Sequence, residues 1–128
     1  MVHIILLFLL LVGSAFPLAV RAAVPDKLTP EAIAIESLMG QGKSLLEKGD
    51  LDHAIEFFNG VVKLNPNSAE AYYYLGIIHV RKNDAQNGLG FLQRSVGLVP
   101  TNAKVRMGLA AAYERFNRLD DAIRQYRA

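Results

Sequence analysis

The sequence predicts an all-α chain built as a solenoid of helical hairpins, about three 34-residue repeats with the third incomplete. Three observations predict it. Pro66 and Pro100 stand 34 residues apart. Small residues recur at the same interval in two series, Gly42, Gly76 and Ala110, and Ala54, Gly88 and Ala122. Large apolar residues follow the same beat at Phe58, Leu92 and Tyr126. A fixed period of this length marks stacked supersecondary units, none of which can bury its apolar face alone.

The elements follow in order. Thr29-Pro30-Glu31 reads as an N-cap, a proline at the first helical position and an acid in the first turn, so a helix starts there and runs to about Lys48. Gly49 ends it by adopting the left-handed conformation. Asp50 caps a second helix, Leu51 to Leu64, stopped by Asn65-Pro66-Asn67. Ser68 caps a third, Ala69 to Lys82, with Asn83-Asp84 as its turn. The fourth runs from Ala85 to Leu98 before Pro100. Asn102 caps the fifth, Ala103 to Phe116, and a sixth begins near Leu119 and continues to Ala128. The residue series place one close helix crossing in each unit, near Gly42, Gly76 or Ala110 on the first helix and Ala54, Gly88 or Ala122 on the second, where small side chains let backbones approach. Leu45, His79, Tyr113, Phe58, Leu92 and Tyr126 fill the space between units.

This pattern resembles the tetratricopeptide repeat family, whose units carry an aromatic, Leu-Gly, Tyr, Ala, an aromatic, Ala and Pro. The second unit shows Tyr72, Leu75-Gly76, His79, Gly88, Leu92, Ser95 and Pro100. The first shows Leu38, Gln41-Gly42, Leu45, Ala54, Phe58, Val61 and Pro66; the third shows Arg106, Leu109-Ala110, Tyr113, Ala122 and Tyr126. The resemblance spans Ile35 to Ala128 and implies a right-handed superhelix, with repeats at 35–68, 69–102 and 103–128 and a linker and helix start at 23–34. Gln41, Gly88 and Arg106 depart from the pattern. Gly88 implies unusually close or unusually loose packing of the second hairpin.

Residues 1–22 read as a signal peptide, or as an uncleaved N-terminal anchor. Ile4 to Val12 is an unbroken apolar run, Pro17 breaks any helix, and Val20-Arg21-Ala22 places cleavage after Ala22, with Ala19 as the second choice. The repeats are therefore expected outside the cytoplasm, periplasmic or secreted. With 52 % apolar residues the chain can bury a core, and a net charge of +2 is too small for a nucleic-acid binder. Charge is uneven: residues 25–66 carry four lysines and seven acids, a balance of −3, whereas residues 67–128 carry nine cations and five acids, a balance of +4. There is no cysteine for disulfides or for lipid attachment.

Local motifs with a chemical reading yield to structural ones. Gly42-Lys43-Ser44 imitates the end of a P-loop, but Ser37 stands where the first glycine belongs and no strand precedes it. His3, His53 and His79 lack metal-ligand spacing. Asp50, Asp52, Asp120 and Asp121 lie at helix starts, where capping and the helix dipole account for them. No cofactor and no catalytic or metal-binding residues are expected, so the chain does not read as an enzyme.

The resemblance instead implies a concave groove lined by the first helix of each unit. Carried over, it offers Glu36, Met39, Lys43, Leu46 and Glu47; Glu70, Tyr73, Ile77, Val80 and Arg81; and Lys104, Met107, Ala111, Glu114 and Arg115. Met39, Lys43, Tyr73, Ile77, Arg81, Lys104, Met107, Ala111 and Arg115 are the candidate partner contacts. The family's carboxylate clamp also needs asparagines that are missing beside Lys43 and Lys104, which argues against a heat-shock co-chaperone. The expectation is a non-catalytic scaffold that binds a protein or peptide; the alternative is an assembly subunit of an envelope complex, held in the membrane by an uncleaved leader. The third unit stops at its twenty-sixth position, which favours a piece of a longer array. Tyr113, Ala122 and Tyr126 would then stand open and promote self-association.

Overall fold

The computed structural model describes residues 29–128. The signal, anchor and cleavage readings fall on residues outside them. The chain divides by backbone contacts into Met1–Ile33 and Ala34–Ala128. Of the first unit, the described part is 29–33, a capped helix start in which Ala32 N–H donates to Thr29 Oγ1 at 3.1 Å. The second unit is the repeat array.

Six helices carry the described residues: α1 (Pro30–Glu47), α2 (Leu51–Leu64), α3 (Ala69–Arg81), α4 (Ala85–Leu98), α5 (Ala103–Arg115) and α6 (Leu119–Arg127). They form the expected all-α hairpin solenoid, and the first five starts lie where the cap residues put them. Asp50 accepts from His53 N–H, Ser68 from Ala71, Asp84 from Asn87 and Asn102 from Val105. Arg118 occupies the position of Asp50 and Asp84 one period on and caps nothing; it pairs instead with Asp121 at 2.6 Å.

The turn inside each hairpin is one motif used three times. Gly49, Asn83 and Asn117, each 34 residues apart, take positive φ of 79°, 61° and 57°. The next residue donates its N–H five positions back: Asp50 to Leu45, Asp84 to His79 and Arg118 to Tyr113, at 2.9, 2.9 and 2.8 Å. These bonds satisfy the last carbonyls of the first helix and fix the hairpin angle. Only glycine and asparagine reach the required left-handed backbone at little cost.

Gly88 is explained by close packing. A β-carbon at Gly88 would lie 3.0 Å from the Val80 backbone nitrogen and 2.8 Å from its Cγ2. One at Gly76 would meet Leu92 Cγ at 2.5 Å and the Gly88 carbonyl oxygen at 3.1 Å. The α3–α4 crossing is thus glycine on glycine. In the first hairpin the Phe58 ring lies against Gly42, 2.9 Å from where a β-carbon would sit. Ser95, buried inside the second hairpin, donates its hydroxyl to the Ala69 carbonyl at 2.7 Å, so its polar atom is not orphaned.

Two apolar clusters form the core. The first joins Met39, Leu46, Ala54, Phe58 and Val61 to Ala71, Tyr72, Leu75 and Ile78; the second joins Leu89 and Leu92 to Leu109, Ala112, Tyr113 and Ala122. Gln41 is exposed at the position where Leu75 and Leu109 are buried. Among the described residues no hairpin precedes α1, and Gln41 bonds Ser37 Oγ at 3.1 Å. Arg106, where the second unit has Tyr72, reaches along the hairpin and donates from Nη2 to the Gln125 carbonyl at 2.8 Å.

The expectation for the third hairpin needs correcting. Tyr113 is 6 % exposed and Ala122 2 %. Nine residues of α6 suffice to bury both, because Ala122 sits at the crossing and Tyr113 is further covered by Arg118, whose guanidinium lies 4.9 Å from its ring. Of the three residues expected to be open, Tyr126 alone is exposed, at 52 %.

Candidate protein-binding face

The first helices α1, α3 and α5 adjoin along one side of the array, and their contacts make a continuous face. Tyr73 and Tyr74 lie at its middle, edge to face at 5.4 Å. Tyr74 is anchored from below, its ring stacked on Phe58 at 5.0 Å and 9°. Lys43 of α1 reaches over Tyr74 at 5.3 Å, and Lys104 of α5 lies 5.1 Å from Tyr73 and 5.6 Å from Tyr74. Two cations from two different repeats thus share one aromatic platform, an attraction worth about 0.5–1 kcal/mol each at exposed sites.

The two lysines differ electrically. Lys43 Nζ is paired with Glu70 at 2.5 Å, and that hydrogen bond raises its pKa above the ordinary lysine value against a smaller opposing effect of burial. Lys104 has no acidic partner among the described residues. A pocket of about 270 Å³ opens beside it, between Glu70, Tyr73, Val99, Asn102 and Val105.

The candidate residues fall into three groups. Met39 is corrected: it is 8 % exposed and packs in the first core cluster, because α2 and α3 close over that side of α1. Leu46 is likewise core. Tyr73 and Ile77 are half-buried against the second cluster and present their remaining surface, and Lys43 is half-buried over Tyr74. Arg81, Lys104, Met107, Ala111 and Arg115 are exposed, Met107 by 60 %. The available surface therefore increases from the first unit to the third.

Tyr74 escaped the sequence reading although it forms the centre of the platform. Its signal was present: Gly40 and Gly108 stand one period before and after it, so a large ring occupies a small-residue position. Gly108 has its own reason to be small. A β-carbon there would lie 2.6 Å from Tyr73 Cε2.

Comparison with known proteins agrees with this architecture. A family model described as TPR repeat matches residues 42–83. The PEX5-related protein of Mus musculus is 34 % identical over 82 residues, 64 % of this chain and 14 % of that protein. Among solved structures, MamA superimposes with a TM-score of 0.68 at 32 % identity, covering 73 % of this chain and 54 % of MamA. The second TPR of Spaghetti, bound to an HSP90 peptide, gives 0.68 at 13 % identity, a likeness of fold alone. The chain spans about half of MamA and a small part of the PEX5-related protein. The fingerprint, the family model over residues 42–83 and the superposition on MamA all liken the repeat region to tetratricopeptide repeats.

Proposed function

We propose that this chain is a non-catalytic interaction module that holds a protein or peptide segment on the α1–α3–α5 face. The observation that carries this reading is the Tyr73–Tyr74 platform with its two flanking lysines and the exposed Met107. Aromatic rings supply rigid contact area at low entropic cost, and methionine adapts to irregular partners. The fold adds support, since a domain of the same fold holds a peptide in the Spaghetti structure. The leader pattern Ile4 to Val12 followed by Val20-Arg21-Ala22 supports placing this activity outside the cytoplasm.

A photo-crosslinking residue at Met107, compared with one at Glu56 on α2, tests the face. Recovery of a discrete partner from Met107 and not from Glu56, lost on Tyr73→Ala, is the expected result. Equal recovery from both positions would remove this face as the site.

A further inference from the structure

The exposed side chains of α5 are arranged in one line. Lys104, Met107, Ala111 and Arg115 lie three, seven and eleven residues along one helix, a spacing that keeps them on one face. The line reads cation, apolar, small, cation. Its two ends are about 16 Å apart at 1.5 Å per residue. Neither cation has an acidic partner among the described residues, whereas Lys43, Lys82, Arg118 and Arg124 are each paired. The nearest acid of the same helix face, Glu114, hydrogen-bonds Tyr126 and helps hold that phenol above its ordinary pKa, after the larger effect of burial. Lys104 is held in place by the two tyrosine rings, so less side-chain freedom is lost when it meets an anion. Toward α1 the charge changes sign: Glu36 and Glu47 are exposed there.

We propose that the α5 line binds an extended acidic segment of a partner protein, with two carboxylates four residues apart and an apolar side chain midway between them. Carboxylates meet Lys104 and Arg115, and the apolar side chain lies on Met107 and Ala111. The spacing follows from geometry: side chains of an extended chain alternate faces, so groups that meet one line stand at even separations, and four residues cover about 13 Å, which the long side chains of Lys104 and Arg115 extend to about 16 Å. The exposed acids of α1 orient the segment by repelling its acidic stretch from the first unit. This inference rests on the proposed binding face and names the chemistry of its occupant.

The test is fluorescence anisotropy of the full chain with labelled eight-residue peptides. One carries two glutamates four apart with a leucine midway between them in a Gly/Ser background; a second has lysines for glutamates; a third has the glutamates adjacent. The expected order is the spaced acidic peptide tightest, by about tenfold over the lysine peptide, with Lys104→Glu and Arg115→Glu each removing most of that preference and Lys63→Glu on α2 leaving it intact. Equal binding of lysine and glutamate peptides overturns the proposal, and so does an equal effect of Lys63→Glu. A single-stranded oligonucleotide that competes as well as the spaced peptide overturns it too, because it reports attraction of any polyanion. If no peptide binds while a crosslinker at Met107 still captures a Tyr73-dependent partner, the acidic occupant is wrong and the binding face stands. If that capture fails as well, both are wrong.

Discussion

The Tyr73 ring of the second unit occupies the space that a side chain at Gly108 of the third would need, 2.6 Å from an added β-carbon. This contact sets the distance between α3 and α5 on the binding face, and it holds Tyr73 where Lys104 can lie over it. Gly108→Ala would gain about 0.5–1 kcal/mol from helix propensity. The clash outweighs that gain, since overpacking costs about 1–3 kcal/mol. The expected net loss is about 1 kcal/mol, with Tyr73 displaced outward. Gly90→Ala on α4 meets nothing within 4 Å and should stabilise by the propensity gain alone. Thermal unfolding of the two variants checks this, and an equal rise in midpoint for both would show that Tyr73 yields freely.

Gly88→Ala restores the residue found at the same position in the other units, Ala54 and Ala122, yet it should destabilise. The obstacle is the Val80 backbone, which cannot rotate away as a side chain can. A loss of about 1–3 kcal/mol is expected, measured by denaturant unfolding. A neutral or stabilised variant would mean that α3 and α4 separate at little cost.

The Asp50–His53 pair at the start of α2 should give a pH signature. Asp50 caps the helix and also bonds the His53 ring, at 2.8 Å from Nδ1. That side-chain bond is the leading cause of both shifts, raising His53 above 6.5 and lowering Asp50 below 3.8. A raised histidine contributes stability in full below its unfolded value, and the contribution is lost as pH rises through the folded one. A lowered carboxylate contributes above its unfolded value, and that is lost as pH falls through the folded one. The pair therefore contributes most between about pH 4 and 6.5. The difference in Tm between the wild type and His53→Ala should change most across the upper edge of that window, and a difference independent of pH from 4 to 9 would refute the coupling. Both groups are solvent-exposed, so the effect is small and should shrink with salt.

The hairpins were legible because their causes are local and repeat. Caps at Asp50, Ser68, Asp84 and Asn102 and turn residues at Gly49, Asn83 and Asn117 act within five residues, and the 34-residue beat doubles each cap and triples the turn. The face was less legible. Met39, Tyr73 and Met107 hold one position in three units, yet they are buried, half-buried and exposed in turn. Burial there depends on which helices close over each unit, and a periodic pattern carries no record of that. Tyr74 was missed for the complementary reason: its importance comes from Lys43 and Lys104, which arrive from the units on either side.

The apolar stripe on α6 should govern association in solution. Leu119, Ile123 and Tyr126 are 55 %, 44 % and 52 % exposed and lie at i, i+4 and i+7 on one face. One period earlier the same positions are Ala85, Leu89 and Leu92, and Leu89 and Leu92 are buried in the cluster that also takes in Leu109, Ala112 and Tyr113 of α5. The stripe therefore has the chemistry of a surface that a further first helix covers. The chain's own α1 is a poor cover, because Ser37, Gln41 and Ser44 stand where α3 has the buried Ala71, Leu75 and Ile78 and α5 the buried Val105, Leu109 and Ala112. Head-to-tail filaments are thus disfavoured, and stripe-to-stripe contact between two copies is the expected form of self-association. Ile123→Glu should abolish it, raising solubility with little loss of helicity, since position 123 touches solvent already. Sedimentation velocity over a range of concentrations checks this: the wild type should show a concentration-dependent dimer and Ile123→Glu a monomer. A wild type that stays monomeric throughout would show that the stripe tolerates water without a partner, and assembly beyond the dimer would show that α1 covers it after all.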